Sequence, residues 1–424
     1  MNILFLCGYL NNPADANNKI AKTMAKELSL LGHKITVAGI LGESYRYKYS
    51  NLSADNSEYS YIGITRNTLV FSERDKLGKH IDGHTGIKKL IRFIGYFFKH
   101  PFSAVMGAYC YTPFFRPKDA TVAMSEFLKD YTGKNNIDIV IAVTMPEFTM
   151  TALFNSDISC KKALYQLDPF YLHEFNNPKY IPYRKEFEYN CFKESCVVFT
   201  TDILKEKYSE IIDYSQFTDK IYAVDFPTLK APVITENCPI QLPQNKTNIV
   251  FCGYIDDKIR NPHIFLSAVE KIISIDKNIA VHFVGNQDSR TLEDFVNRYP
   301  ENIFRYSSID NKYIPALLDS ADYLLNIGNT LRLQVPSKIY EYFASCKPII
   351  HQELIDGCSC HRYMQKYPLA FIMDSDFSDW EKLYEFICKN KDVYADWNNV
   401  QMLFSGNIPE NAAKVISDAV IKHT

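Results

Sequence analysis

The segment Val335-Pro336-Ser337-Lys338-Ile339-Tyr340-Glu341-Tyr342-Phe343, followed by Ala344-Ser345-Cys346-Lys347-Pro348-Ile349-Ile350, gathers the residue types that hold a phosphorylated ligand. Proline suits a first helical position, so the spacing predicts a helix opening at Pro336 whose unpaired N–H groups form an anion site. Ser337 adds a hydroxyl donor there and Lys338 a positive charge. Glu341 follows on the same helical face, one turn away. At that distance, about 5.4 Å, a carboxylate can accept both hydroxyls of a ribose attached to a bound diphosphate. The competing reading is a helix capped by Ser337 with solvated charges. A capping box would need Glu or Gln where Tyr340 stands, and a lysine at a helix N-terminus opposes the macrodipole unless an anion offsets it. The chemistry these residues suit best is binding of a nucleoside diphosphate.

On these residues the C-terminal half resembles the family-four-like glycosyltransferases (glycosyltransferase group 1) of the bacterial surface-polysaccharide type. Their donor-site helix ends in Glu-Ala-x-Ala-x-Gly-Lys-Pro before a buried strand; here the stretch reads Glu341-Tyr342-Phe343-Ala344-Ser345-Cys346-Lys347-Pro348. The resemblance implies the B-type glycosyltransferase fold and a ribose contact for Glu341. Phe251-Cys252-Gly253-Tyr254 is similar to the family's first strand and turn, which makes Gly253 a donor contact. Arg260, in Arg260-Asn261-Pro262, stands near the family's basic diphosphate contact, with Lys258 as its substitute. Gly285 and Asn286 end a strand that would pass beneath the donor, and glycine there permits close backbone approach. By the same resemblance Ser307 to Ile309, Ser308 included, would meet the base, and Gly328 to Gln334, with Asn329, would run past the sugar and phosphates. For each of these the alternative is an ordinary strand-to-helix turn. Position 333 is Leu333, where the family often carries a second glutamate. A donor-sugar contact is thereby lost, and retention of anomeric configuration is carried over from the family alone.

The implied activity is transfer of a sugar from a nucleoside-diphosphate sugar, a UDP-sugar above all, to an acceptor hydroxyl in cell-surface polysaccharide or glycan synthesis. The acceptor would be a glycan or a lipid-linked one. Ser337, the helix N-terminus, Lys338 and Arg260 would stabilise the departing diphosphate. No cofactor beyond the donor and no metal is expected, since this reading places no Asp-x-Asp triplet at a strand end. Two alternatives stay open: a nucleotide-sugar epimerase of the same architecture, and a silent sugar-nucleotide-binding protein in which Leu333 marks lost chemistry.

Candidates for proton transfer lie in the N-terminal half. Glu147 follows Val143-Thr144-Met145-Pro146, and Asp168 and His173 follow Tyr165-Gln166-Leu167; a positioned carboxylate or imidazole could deprotonate an acceptor hydroxyl. The polar loop Gly8 to Asn18 after the first strand offers Asp15, Asn17 and Lys19 to donor phosphate or acceptor. The family usually has a glycine pair in that loop, and this chain has Asn11-Asn12-Pro13-Ala14-Asp15-Ala16, so a solvated loop is the alternative.

These residues need strand ends to position them. Ile3 to Cys7, a helical pattern from Asn17 to Leu31, and Lys34 to Gly39 form a βαβ opening. Further strands are predicted at 137–143, 162–167 and 196–200. Between Phe226 and Thr247 the periodicity vanishes, and Pro227, Pro232, Pro239 and Pro243 break any helix or central strand. From Asn248 the βα alternation restarts, and the tail from Trp380 to His423 reads as helical with a break at 406–409. The expected organisation is an α/β chain with an acceptor-side Rossmann-like domain at 1–225, a linker at 226–247, a donor-binding Rossmann-like domain at 248–390, and C-terminal helices at 391–424 that pack back on the first domain. Two doubly wound domains in series would face a central cleft.

A chain of 424 residues exceeds one ordinary core, which favours two domains, and its net charge of -2 gives no pull toward nucleic acid. The 11 cysteines are an odd number, scattered through apolar runs, and argue against a disulfide framework. Cys358-Ser359-Cys360-His361 lacks the spacer of common zinc pairs and reads as a partly exposed loop. No stretch reaches the length of a membrane span, and Met1-Asn2-Ile3-Leu4-Phe5-Leu6, an apolar run without a basic leader or a small-residue cleavage site, reads as a first strand and not a signal peptide, so the expected location is cytoplasmic. Between Arg74 and Lys118, nine basic residues against two acidic ones interleave with Ile87, Leu90, Ile91, Ile94, Phe97 and Phe98 at helical spacing. That segment would either rest on an anionic membrane surface, making the protein peripheral at the inner face of the plasma membrane, or pack its aromatic face inward.

Overall fold

A computed structural model of the chain describes residues 1–10, 16–44, 48–52, 59–67, 76–81, 86–109 and 118–424. The chain forms two compact units: Met1–Leu167 with Pro182–Val224 and Ala413–Thr424, and Asp168–Ile181 with Asp225–Ala412.

The first unit is built on eight strands: β1 (Asn2–Tyr9), β2 (Lys34–Ser44), β3 (Lys48–Leu52), β4 (Ser60–Asn67), β5 (Ile139–Val143), β6 (Lys161–Gln166), β7 (Val197–Thr200) and β8 (Ile221–Ala223). Their order is β3-β4-β2-β1-β5-β6-β7-β8, parallel except where β3 runs against β4. Every residue of β5 and β7 is buried, the pattern of a parallel sheet covered on both faces. The last helix, Pro409–His423, lends its end to this unit: Ser417 Oγ is 2.8 Å from His33 Nε2, and His423 Nε2 is 3.0 Å from the Tyr222 hydroxyl.

The helix Gly86–Lys99 settles one of the two readings of the basic segment. Of its side chains only Tyr96 is buried, against Leu77, Ile81 and Ala104. Ile87, Ile91 and Phe98 are 76%, 62% and 80% exposed, so the apolar face does not pack inward. Arg74, Asp82 and Arg116 of that segment lie outside the described residues.

The second unit holds β9 (Thr247–Cys252), β10 (Ile255–Asp256), β11 (Ile279–Val284), β12 (Gln287–Asp288), β13 (Ile303–Tyr306), β14 (Tyr323–Ile327), β15 (Ile349–Gln352) and β16 (Ala370–Met373). Six of them form one parallel sheet ordered β13-β11-β9-β14-β15-β16, while β10 and β12 pair beside it. Counted along the chain, the six run 3-2-1-4-5-6, the doubly wound order, and its reversal falls between β9 and β14. The core packs β9, β11 and β14 against the helix His263–Ile275, whose Phe265, Leu266, Val269 and Ile272 are fully buried. Neither helix nor strand interrupts the proline-rich stretch between Ala223 and Thr247.

Candidate functional site

Lys338 precedes the helix Ile339–Ala344, so this helix starts three residues later than the sequence suggested. Pro336 carbonyl accepts from Ile339 N–H at 3.3 Å, and Pro336 to Lys338 form a turn leading into it. Lys338 already has helical dihedrals, so it and Glu341 remain on one side. The helix docks through its apolar face: Ile339, Tyr340, Tyr342 and Phe343 are buried, and the Tyr342 hydroxyl accepts from Cys252 N–H at 2.9 Å, fixing the turn against the end of β9. Burial, with the Glu341 carboxylate adding to it and Lys338 opposing, pushes the Cys252 thiol up to about 12.

At the reversal of strand order lies a cavity of about 170 Å3 lined by Cys252, Gly253, Tyr254, Arg260, Asn326, Pro336, Ser337, Lys338 and Tyr342 among others. It unites Gly253, Arg260, Pro336, Ser337 and Lys338, all singled out from sequence. Among the described residues the side chains of Ser337 and Lys338 make no hydrogen bond or ion pair. Glu341, half-buried, is not among the cavity's lining residues but interacts electrostatically with Cys252, which is. Arg260 is aimed by its loop: Asp256 Oδ1 accepts from the N–H groups of Lys258 and Ile259 at 2.7 and 2.6 Å, and Arg260 Nε donates to Asn329 Oδ1 at 2.6 Å. Asn329, buried, in turn donates to the Gln334 carbonyl at 3.2 Å, so it positions Arg260 and does not line the cavity. Burial lowers the guanidinium pKa, with Cys360, Asp256 and Tyr342 opposing. Among the described residues no carboxylate pairs with it. Two cations and a hydroxyl facing one small cavity can hold an anion.

A second cavity, of about 560 Å3, adjoins through Tyr254 and is lined by Gly285, Asn286, Gln287, Asp288, Arg305, Tyr306 and Ser307. Gly285 has φ +139°, and a Cβ there would lie 2.1 Å from the Gly253 carbonyl oxygen, so only glycine lets these two strand ends approach. Ser308 donates to Asn286 Oδ1 at 2.8 Å and orients it, while Ser307 lines the cavity.

Two features extend this donor-side set beyond what the sequence reading contained. The segment Asp168–Ile181 belongs to the second unit, where Gln334 Nε2 donates to Asp168 Oδ1 at 2.8 Å and Arg332 N–H to Glu174 Oε2 at 2.9 Å. The Lys258 ammonium lies 4.6 Å from the centre of the Phe175 ring, a cation–π contact that draws this substitute ligand away from the phosphate role. His173 Nδ1 accepts from Phe175 N–H at 3.2 Å. Arg305 and Glu174 carried no motif, and only their place near strand ends could have flagged them; Tyr254 stands in the turn the resemblance quoted, and Gln334 ends the segment it set beside the sugar and phosphates.

Over nearly their whole length solved structures match this fold. The UDP-forming alpha,alpha-trehalose-phosphate synthase of Burkholderia xenovorans aligns with a TM-score of 0.62 at 10% identity, covering 100% of this chain and 99% of that one. The E. coli trehalose-6-phosphate enzyme bound with UDP-2-fluoro glucose aligns at 0.58 and 9% identity, covering 99% of each. WaaG, a glycosyltransferase involved in lipopolysaccharide biosynthesis, aligns at 0.55 and 12%, covering 98% and 99%. The fold is that of the B-type glycosyltransferases. No family model matches the sequence. Nor does any curated protein.

In the first unit Glu147 is held by the Arg184 guanidinium. Asn17 is buried and its amide donates to the Met145 carbonyl at 3.3 Å, tying the start of helix Ala16–Leu30 to the end of β5; Lys19 is exposed, and Asp15 lies outside the described residues.

Two expectations about metals need correction. Asp374-Ser375-Asp376 directly follows β16, so an Asp-x-Asp triplet does stand at a strand end; both aspartates are exposed on the sheet's outermost strand, away from the cavity at β9 and β14. Cys358 and Cys360 are buried, at 4% and 0% exposure, and not in a partly exposed loop, because the turn folds them onto His351 at the end of β15. Hydrogen bonding from Cys360, then from His351, outweighs burial and pulls the Cys358 thiol below its ordinary range.

Proposed function

We propose that this chain is a glycosyltransferase that moves a sugar from a nucleoside-diphosphate sugar, a UDP-sugar, to an acceptor hydroxyl with retention of configuration. The observation that carries the reading is the small cavity at the strand-order reversal, where Ser337, Lys338 and the half-buried Arg260 face one space with no acidic partner among the described residues. The B-type fold supports it, and so do two neighbours of that fold, one described as a UDP-forming trehalose-phosphate synthase and one as bound with UDP-2-fluoro glucose.

In this reading the diphosphate occupies the smaller cavity. Glu341 accepts the ribose hydroxyls, and the base enters the larger cavity between Asn286 and Ser307. As the glycosidic bond to the diphosphate breaks, negative charge grows on the leaving phosphate oxygen, and Lys338, Arg260 and Ser337 are already in place to stabilise it. Fixed charges in a partly dry site need no reorganisation, so no metal is required for this step. Asp168, held by Gln334, and His173 are the donor-side candidates for taking the acceptor's proton, with Glu147 in the first unit held by Arg184.

The acceptor in this reading is lipid-linked, and the enzyme works at the cytoplasmic face of a membrane. The exposed apolar side chains of helix Gly86–Lys99 beside Lys88, Lys89, Arg92 and Lys99 support that setting, and none of the helices searched among the described residues is long and apolar enough to cross a membrane.

A thermal-shift panel of UDP, GDP and their sugars tests the donor site, since a ligand that binds only the folded chain raises its melting temperature. UDP and at least one UDP-sugar should stabilise the protein, and Lys338→Met should weaken that binding roughly 100-fold by titration calorimetry. No shift with any member of the panel would sink the donor-site reading.

A further inference from the structure

Behind the smaller cavity the structure assembles a donor set the proposed reaction does not use. His351, Cys358 and Cys360 are all buried, and their ligating atoms lie within 4.8 Å of one another. The His351 Nε2 atom is 3.8 Å from Cys358 Sγ and 3.5 Å from Glu353 Oε1. A tetrahedral zinc ion with Zn–N near 2.0 Å and Zn–S near 2.3 Å has an N···S edge of about 3.5 Å. The His351–Cys358 separation lies within about 0.3 Å of that edge. The matrix around them is built as well: a Cβ on Gly328 would come within 2.6 Å of Cys358 Sγ, so glycine leaves room for that thiol.

The strand partner of His351 can set the tautomer that zinc needs. With the ring proton on Nδ1, donated to the Asn326 carbonyl oxygen 3.2 Å away, the Nε2 lone pair faces Cys358. Asn326 Nδ2 lies 2.8 Å from the same ring nitrogen, so zinc binding requires that amide to turn and present its oxygen. Carbonyl-to-imidazole contacts of this kind orient metal ligands. Glu353 Oε1, 3.5 Å from His351 Nε2, is also 2.7 Å from His361 Nδ1.

We propose that His351, Cys358 and Cys360 hold a zinc ion that fixes the turn 353–361 against the floor of the smaller cavity. The two thiolates balance the charge of the dication, and Arg260 interacts electrostatically with Cys360. The ion takes no part in sugar transfer. Asn326 and Arg260, which line the cavity, link it to the cluster: Asn326 contacts His351, and Arg260 interacts electrostatically with Cys360.

The test uses the full, untagged chain purified without chelator from zinc-supplemented cells. Elemental analysis should find about one zinc per chain. Apo protein given cobalt(II) alone should show the visible bands of a tetrahedral site and a near-ultraviolet thiolate-to-metal charge-transfer band. Cys358→Ser and Cys360→Ser should lose zinc and the charge-transfer intensity, while replacing the exposed Cys388 by serine should change neither. Chelation should lower the melting temperature of the wild type. Wild-type protein with well below about one zinc per chain and no cobalt spectrum overturns the proposal, and that result does not depend on any variant folding. Zinc retained in both serine variants overturns it too, as does a peptide mass showing Cys358 and Cys360 joined as a disulfide.

Discussion

Cys346 has φ +58°, the left-handed conformation in which a helix commonly ends, and its N–H bonds back to the Phe343 carbonyl at 3.1 Å. The resemblance places a glycine here, and the conformation gives the physical reason, since a side chain at positive φ crowds the backbone. Cys346→Gly should therefore stabilise the chain by roughly 0.5–1 kcal/mol, read as a higher urea midpoint at unchanged slope; a lower midpoint would show that burial of the thiol outweighs the relieved strain. The neighbouring Lys347 has an equally local role. Its ammonium donates to the Asp319 and Ala321 carbonyls at 2.7 and 2.6 Å, satisfying the C-terminal end of helix Ile314–Ser320, and burial lowers its pKa. The motif's Lys347 thus serves the fold, whereas Ser337, Lys338 and Glu341 are the residues that the proposed function assigns to the ligand.

Among the described elements, the helix Gly86–Lys99 stands out because its surroundings do not explain its sequence. Its apolar residues face outward, Leu90 at 57% and Phe98 at 80% exposure, with four basic residues on the same helix. A face of this kind lies stably in the headgroup region of an anionic bilayer, where the apolar side chains leave water and the cations meet lipid phosphates. Sedimentation with vesicles containing anionic lipid should carry the protein down at low salt and release it as salt rises. Ile91→Asp with Phe98→Asp should abolish binding while leaving the melting temperature unchanged. Binding that is absent, or unaffected by salt, would remove the membrane setting without touching the donor site.

For the molecule as a whole, buried imidazoles tie stability to pH. His282 is fully buried between the Asn248 side-chain oxygen at 3.0 Å and the stacked Phe304 ring, and burial, with Lys246 adding to it, lowers its pKa to about 4. His33 and His423 in the first unit are also lowered, chiefly by burial. With the folded pKa below the unfolded one, near 6.5, the stabilisation is fully present above the unfolded value. It is lost as pH falls through the interval toward the folded one, because the unfolded chain then binds more protons. For His282 alone the loss from pH 7 to pH 4 is roughly 3 kcal/mol at most. Urea titrations across that range should show the midpoint falling, and His282→Gln should flatten the fall; an unchanged slope would show that His282 is not its source.

The amino-acid order by itself determined the fold class and much of the donor turn. Buried parallel strands read as apolar runs such as Ile139–Val143, and a proline, a hydroxyl, a lysine and a glutamate at fixed spacing describe one helical edge whatever surrounds it. Short or partly exposed strands such as β8 and β16 went unread, because three or four residues with mixed burial carry no period. Which residues meet across long stretches of sequence was decided by tertiary structure alone. Arg260 joins Lys338 only because β9 and β14 are neighbours at the reversal of strand order. His351 reaches Cys358 and Cys360 only because β15 ends beside the turn that carries them. The Cys-x-Cys spacing was uninformative by itself, since a metal site is defined by the separations of its ligand atoms, and these depend on how the turn folds back on the strand.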